Sequence, residues 1–110
     1  MTRALFICGK ARRRSPTAVA VAERVFGLEA ACAGLSADAD EPLDADAIEW
    51  ADAIFVMEAR QKARLKRAFG RRIGGRKIVS LDIPDRFEAM APDLTALLEA
   101  KLARHFGRAR

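Results

Sequence analysis

The sequence is poor in the residues on which many protein classes depend: it has no tyrosine, one tryptophan, one histidine and two cysteines. Two cysteines cannot make the disulfide framework of a small secreted domain. With a single histidine they also give no zinc-ligand cluster, so we expect neither a metal site nor a cofactor. The few aromatic rings leave little to stack on nucleic-acid bases, and no RNA-recognition or helix-turn-helix signature is present.

Long hydrophobic stretches are missing as well. No apolar run approaches the roughly eighteen residues that are needed to span a bilayer, and the first residues lack a signal-peptide pattern. We therefore expect a cytoplasmic protein with no membrane partner. A reducing compartment would keep its cysteine thiols available.

Positive charge is what the chain has in excess. The net charge is +5, and much of the excess lies in residues 10–14, 60–76 and 104–110. This balance favours anionic partners, including phosphoesters, nucleic acid and acidic protein surfaces, but it does not choose among them.

The length and the apolar pattern predict the fold class. With 110 residues, of which 51% are hydrophobic, the chain is long enough for one core and too short for two, so residues 1–110 are predicted to form a single domain. The predicted strands cover residues 3–7, 28–33, 53–57 and 77–81, and the predicted helices cover 15–26, 44–50, 58–69 and 92–106. This alternation predicts a three-layer α/β fold whose four-stranded parallel sheet has the order 2-1-3-4, with helices on both faces.

The connection between the first strand and the first helix carries the chemistry. Cys8 and Arg14 enclose five residues, and Ser15 and Pro16 follow at once. Ser15 and Pro16 suit the N-cap and first residue of a helix. The unpaired N–H groups and positive dipole at a helix N-terminus attract an anion and favour a thiolate at Cys8. Arg14 can offer phosphate oxygens a bidentate fork.

We therefore predict a phosphate-binding loop with a nucleophile at its start. The predicted phosphate-binding residues are Gly9, Lys10, Ala11, Arg12, Arg13 and Arg14. A buried cysteine at a strand end beside a basic turn would show the same spacing, since arginine is frequent in this chain. The apolar strand before the loop and the amphipathic helix after it favour the phosphate site, because doubly wound folds bind phosphates at such a turn.

Four separated segments resemble the low-molecular-weight protein tyrosine phosphatases, and especially a short bacterial form of that family. They read LFICGKARRRSPTA at the loop, ACAGLSADADEPL after the second strand, EWADAIFVMEARQKARL through the third strand and KIVSLDIPDRFEAMAPDL from the fourth strand onward. The resemblance implies a phosphotyrosine protein phosphatase I-like fold and a metal-independent, cysteine-dependent phosphomonoesterase with a thiophosphoryl-enzyme intermediate. It also implies that Cys8 is the nucleophile, that Arg14 binds the phosphoryl group and that Ser15 hydrogen-bonds the thiolate. The implied partners are phosphorylated proteins or small phosphoesters, and inorganic phosphate or sulfate in the loop.

The family mechanism needs an aspartate after the last strand as general acid, and two are present. Asp82 matches the family by its distance from the strand. Asp85 matches by its nearness to Phe87, because the family has an aromatic residue just after its acid. The distance slightly favours Asp82, and the other aspartate is then expected to be a turn or capping residue.

The loop also departs from the family pattern. Ala11 stands where family loops usually have an asparagine that braces the backbone, and Lys10, Arg12 and Arg13 replace small or apolar residues. These departures keep a second hypothesis open, a phosphate-loop protein of weak activity that binds an anionic ligand or, less favoured, nucleic acid. An arsenate reductase on the same fold would need more cysteines, and Cys32 fits a small core residue better.

Overall fold

The fold is described from a computed structural model, for residues 2–9, 13–36 and 38–107. Strands and helices alternate along the chain, as the sequence predicts. The strands are β1 (Arg3–Cys8), β2 (Glu29–Gly34), β3 (Ala53–Val56) and β4 (Lys77–Ser80), and the helices are α1 (Arg14–Phe26), α2 (Ala45–Trp50), α3 (Ala59–Ile73) and α4 (Pro92–Phe106).

The four strands form one parallel sheet in the order β2-β1-β3-β4, so the predicted topology is confirmed. β1 is an inner strand, and its Leu5 pairs with Ala31 of β2 on one side and with Ile54 of β3 on the other. A strand that is covered on both faces needs a continuous apolar run. Residues 4–7 meet this need, and all four are fully buried.

Helices cover both faces of the sheet, because each strand directs alternate side chains into two separate cores. On one face α1 and α4 pack around Phe6 and Phe55. On the other face α2 and α3 pack around Leu5 and Ile54. The predicted three-layer architecture is therefore confirmed.

The start of α1 differs from the prediction. The helix begins at Arg14, and Arg13 occupies the N-cap position without a side-chain capping hydrogen bond. Ser15 lies within the first turn, so the prediction that it caps the helix is wrong. Its side chain is fully buried and contacts Cys8 instead.

The end of α3 also differs from the prediction, which placed it at Gly70. The helix continues to Ile73, with a break in the helical conformation at Phe69 (φ −129°, ψ 17°). Ile73 is buried in the core on the α2 and α3 face, and its burial offsets the poor helix propensity of glycine. The helix stops at Gly74, whose φ of 57° is a conformation that glycine adopts without strain.

The carboxyl ends of β1, β3 and β4 meet at one edge of the sheet, where folds of this kind place their ligand sites. The chain beyond β4 continues alongside the end of β3. The N–H of Leu81 donates to the carbonyl oxygen of Val56, and that of Ile83 donates to the carbonyl oxygen of Met57, both at 2.8 Å. These two bonds hold the segment after β4 over the edge at which β1 ends. No helix in the described ranges is long and apolar enough to cross a membrane.

Candidate active site

Cys8 is the last residue of β1 and lines a cavity at this edge of the sheet. The residue is 4% exposed and forms no disulfide. Its Sγ lies 2.7 Å from Oγ of Ser15. Because Ser15 is in the first turn of α1, this contact ties the sulfur to the positive end of the helix dipole.

Arg14 is buried beside Cys8 with its side chain 5% exposed. Nη1 donates to the carbonyl oxygen of Ile83 at 2.8 Å and to Oε1 of Glu58 at 3.1 Å. Nε lies 3.6 Å from Oδ1 of Asp85. A buried cation needs such compensation by carboxylates and carbonyl oxygens. These contacts also fix the plane of the guanidinium.

Glu58 is a partner of Arg14 that sequence reasoning missed. It precedes the first residue of α3, and its carboxylate lies between two arginines, with Oε2 2.6 Å from Nε of Arg60. Burial acts to raise the pKa of Glu58. The hydrogen bonds and positive charges of Arg60 and Arg14 outweigh burial, so this pKa lies below its ordinary value. The signal in the sequence is an acidic residue directly beyond a buried strand, at the carboxyl edge of a parallel sheet.

Gln61 fixes the turn that carries Glu58. Its side chain is buried, and Oε1 accepts the N–H of Met57 at 2.8 Å and the N–H of Glu58 at 2.9 Å. Two backbone donors at the start of α3 are thereby satisfied, as a helix N-terminus requires. The position of Glu58 under Arg14 is therefore set by the backbone as well as by its charge.

The two candidate aspartates lie in different places. Asp85 lines the cavity, and its Oδ1 is 3.4 Å from Nη2 of Arg13 as well as 3.6 Å from Nε of Arg14. Asp82 does not line it. Its carboxylate accepts the hydroxyl of Ser80 at 2.9 Å, and its φ is 56°.

The burial of their neighbours explains this placement. Leu81 and Ile83 both turn into the core, where they are 2% and 0% exposed. Asp82 stands between them in the chain, so its side chain points the other way, into solvent. Distance from β4 is therefore a poor guide to which aspartate reaches the cavity. Phe87 is also buried in the core, on the α1 and α4 face, and does not line the cavity.

The cavity has a volume of about 470 Å³. Its lining residues are Cys8, Gly9, Arg13, Arg14, Ser36, Arg60, Gln61 and Asp85. Three arginines against one aspartate make the lining positive, which suits an anionic ligand.

The predicted phosphate-binding residues divide into two groups. Gly9, Arg13 and Arg14 line the cavity. Lys10, Ala11 and Arg12 lie outside the described residues. Sequence reasoning did not place Ser36, Arg60 and Gln61 in the site; they come to the cavity from the loop after β2 and from α3.

The second cysteine, the other side chain with a potential nucleophile, lies outside the cavity lining. Cys32 is half-buried in β2, where burial raises the pKa of its thiol and the neighbouring Cys8 and Glu41 act in the same direction. Across residues 2–9, 13–36 and 38–107, no three side chains of His, Cys, Asp or Glu are grouped to hold a metal ion.

The Glu58–Arg14 pair predicts a pH-dependent contribution to stability. We expect Glu58→Gln to lower the free energy of unfolding by about 1–2 kcal/mol near neutral pH, because a buried guanidinium loses a charged partner. The folded pKa of Glu58 is depressed, so this contribution is present above the ordinary pKa that the group has in the unfolded chain and is lost as the pH falls through the lower folded pKa. Urea unfolding of the unchanged protein and of Glu58→Gln, followed by circular dichroism at pH 7 and in acid, measures the difference in the free energy of unfolding.

The matched control for this prediction is Glu49→Gln. Oε2 of Glu49 lies 3.6 Å from Nη1 of Arg72, but both side chains are more than half exposed. Exposed ion pairs contribute little to the free energy of unfolding. An equal effect of the two substitutions at pH 7, or a Glu58→Gln effect that persists in acid, would contradict the assigned role of the pair.

The strand order and the three layers are those of the low-molecular-weight protein tyrosine phosphatase fold, and comparison with solved structures supports this fold. Neither a protein-family model nor a curated protein sequence matches the chain. The solved structures match at low sequence identity and over nearly the full length of both partners.

One similar structure is Wzb of Vibrio vulnificus in complex with benzylphosphonate, with 19% identity, a TM-score of 0.76 and coverage of 94% of this chain and 96% of that one. A second is the tyrosine phosphatase Wzb of Escherichia coli K30 in complex with phosphate, with 19% identity, a TM-score of 0.73 and coverage of 96% of each chain. A third is the YwlE arginine phosphatase of Geobacillus stearothermophilus, with 20% identity, a TM-score of 0.70 and coverage of 96% and 92%. The family resemblance of the sequence is therefore confirmed at the level of the fold.

Proposed function

We propose that the protein is a cysteine-dependent phosphomonoesterase. One observation carries this proposal: a buried Cys8 sulfur, a buried Arg14 guanidinium and the Asp85 carboxylate line one positively charged cavity at the start of α1. Nucleophile, counter-charge and proton donor are the three groups that phosphoryl transfer through a thiophosphate ester requires. The solved structures with this fold include tyrosine and arginine phosphatases, which supports the proposal.

In the first step the Cys8 thiolate attacks the phosphorus of the substrate. An S–P bond forms as the P–O bond to the leaving group breaks, and Asp85 gives its proton to the departing oxygen. The hydroxyl of Ser15, 2.7 Å from the sulfur, donates a hydrogen bond to the thiolate. This bond stabilises the thiolate before it attacks in the first step and again when it leaves in the second step.

Arg14 stabilises the charge on the phosphoryl oxygens. Within the described part of the chain, its hydrogen bonds are donated by Nη1, to the carboxylate of Glu58 and to the carbonyl oxygen of Ile83. The guanidinium is thereby oriented in advance, with Nη2 as the donor for a phosphoryl oxygen. Such preorganisation is the main source of transition-state stabilisation in charged sites.

In the second step a water molecule attacks the phosphorus of the thiophosphate ester. Asp85, now a carboxylate, accepts the proton of this water as the P–O bond forms and the S–P bond breaks. Inorganic phosphate leaves, and the Cys8 thiolate and protonated Asp85 are restored. The positive charge that the reaction needs comes from Arg14 and the N-terminus of α1, so the proposed cycle calls for no metal or cofactor.

Asp85 is our choice for the general acid over Asp82. Asp85 lines the cavity of Cys8 and Arg14, whereas the Asp82 carboxylate accepts a hydrogen bond from Ser80 outside it. A general acid must reach the leaving oxygen directly or through one water molecule. The proposed substrates are phosphorylated proteins or small phosphoesters, with a cytoplasmic location as the accompanying expectation.

The simplest test is hydrolysis of p-nitrophenyl phosphate, followed by the absorbance of the nitrophenolate. We expect saturable turnover that is unchanged by excess EDTA, because the reacting groups are all side chains. Inorganic phosphate should inhibit competitively by occupying the same cavity. Binding of inorganic phosphate without hydrolysis of the ester would favour the alternative of a phosphate-loop protein that binds an anionic ligand.

A further inference from the structure

A second cavity lies next to the active-site cavity, along α3. Its volume is about 310 Å³, and its lining residues are Gly9, Leu35, Arg60, Gln61, Arg64 and Arg67. Gly9, Arg60 and Gln61 line both cavities. The two cavities are therefore adjacent, and we call the second one the α3 groove.

From this groove we infer that the preferred substrate is a phosphopeptide segment with an acidic side chain about two or three residues from the phosphorylated one. The inference rests on the proposed function and adds a substrate class to it. Its basis is the arrangement of three arginines on a single face of α3.

The arginines are placed by helical spacing. Arg60, Arg64 and Arg67 follow one another at intervals of four and three residues, which puts them on one face of a helix. α3 contains no acidic residue to neutralise them. A row of cations thus leads away from the cavity of Cys8.

The three cations are not equally available. Arg60 is paired with Glu58 at 2.6 Å. Arg64 donates from Nη2 to the carbonyl oxygen of Leu35 at 3.3 Å, which directs its side chain across the groove. Because this acceptor is neutral, the positive charge of Arg64 is not compensated by it. Among residues 2–9, 13–36 and 38–107, no carboxylate lies within ion-pair distance of Arg64 or Arg67. The unneutralised charge is therefore at the far end of the groove from Cys8.

The spacing sets where the second anion of the substrate lies. From Arg60 to Arg67 the helix rises about 10 Å, at 1.5 Å per residue. An extended peptide advances roughly 3.3 Å per residue. A carboxylate two or three residues from the phosphorylated residue then reaches Arg64 and Arg67 while the phosphate is in the active-site cavity. A small phosphoester such as p-nitrophenyl phosphate is too short to reach them.

The experiment compares phosphotyrosine peptides that differ at one position. Glutamate or glutamine is placed two or three residues from the phosphotyrosine, on the N-terminal side in one pair and on the C-terminal side in another. We expect a preference of about fivefold in kcat/KM for glutamate on one of the two sides at low salt, as two solvated ion pairs provide. The preference should shrink in 0.5 M salt, because salt screens exposed charges.

Two double variants separate the groove from the general positive charge of the helix. Arg64→Ala with Arg67→Ala should abolish the preference for glutamate and leave hydrolysis of p-nitrophenyl phosphate unchanged. Lys62→Ala with Lys66→Ala removes the same charge from residues that line a different cavity, beside Gly70 and Ile73, and should keep the preference. Equal effects of the two double variants would overturn the inference, because the attraction would then be long-range and unspecific.

Peptide binding to the Cys8→Ser protein, measured by fluorescence anisotropy, tests the groove without turnover. If p-nitrophenyl phosphate is not hydrolysed, the proposed function fails, and this binding assay still decides whether the groove selects glutamate. If the ester is hydrolysed but neither peptide pair is discriminated in catalysis or binding, the groove inference alone fails. A single-stranded oligonucleotide that binds more tightly than the acidic peptide at the same salt concentration would also overturn it.

Discussion

Replacing Cys8 by serine should reduce hydrolysis of p-nitrophenyl phosphate by roughly four orders of magnitude or more, the scale seen when a nucleophile is removed from an enzyme. A serine hydroxyl is far less ionised than a thiol near neutral pH, and its neighbour at this position is another hydroxyl, that of Ser15. The arginines that line the cavity are untouched by the change. Inorganic phosphate should therefore still bind, which calorimetry or ³¹P NMR measures.

The matched control is Cys32→Ser. It makes the same change of one atom at a half-buried cysteine in β2, outside the cavity lining. We expect this variant to keep most of its activity. Substantial turnover by Cys8→Ser, or an equal loss in both variants, would exclude Cys8 as the nucleophile.

The sheet and its helices could be predicted because local patterns determine them. α4 is a clear case: Pro92 suits a first helical position, and a stripe of leucines at Leu94, Leu98 and Leu102 marks the buried face. The strand order follows from the alternation of strands and helices together with the apolar run of β1. Cys8 and Arg14 could be predicted for the same reason, since they flank the turn from the first strand to the first helix.

The contacts that complete the site could not be predicted from local pattern, because distant backbone contacts bring their residues together. Glu58 reaches Arg14 across 44 positions of sequence. Asp85 depends on the bonds by which Leu81 and Ile83 continue alongside β3. The sequence offers both carboxylates as candidates, since Glu58 follows a buried strand and Asp85 follows the last one, but their contacts with Arg14 depend on the sheet register.

The helix ends show the same contrast between local pattern and tertiary contacts. Gly70 resembles a helix terminator in sequence, yet the core contact of Ile73 extends α3 past it. Ser15 resembles an N-cap, yet its hydroxyl is buried against Cys8. In both cases tertiary contacts outweigh a local preference of about 1 kcal/mol.

A paired substitution of the two aspartates distinguishes their roles. We expect Asp85→Asn to lower kcat for phenyl phosphate by about a hundredfold or more, because an amide cannot give a proton to the leaving oxygen. Asp82→Asn should change kcat by less than about twofold, since this carboxylate is exposed and accepts its hydrogen bond within the described residues from Ser80. The two variants remove the same charge from the same loop, so a general electrostatic effect would appear in both.

The leaving group provides the sharper test of general acid catalysis. Nitrophenolate is a much better leaving group than phenolate and needs less protonation as the P–O bond breaks. The Asp85→Asn defect should therefore be several times smaller with p-nitrophenyl phosphate than with phenyl phosphate. A defect of equal size with both esters would show that Asp85 orients Arg13 and Arg14, which it contacts at 3.4 and 3.6 Å, and is not the proton donor. A large defect in Asp82→Asn with the same dependence on leaving group would transfer the role to Asp82 and require the segment after β4 to move during catalysis.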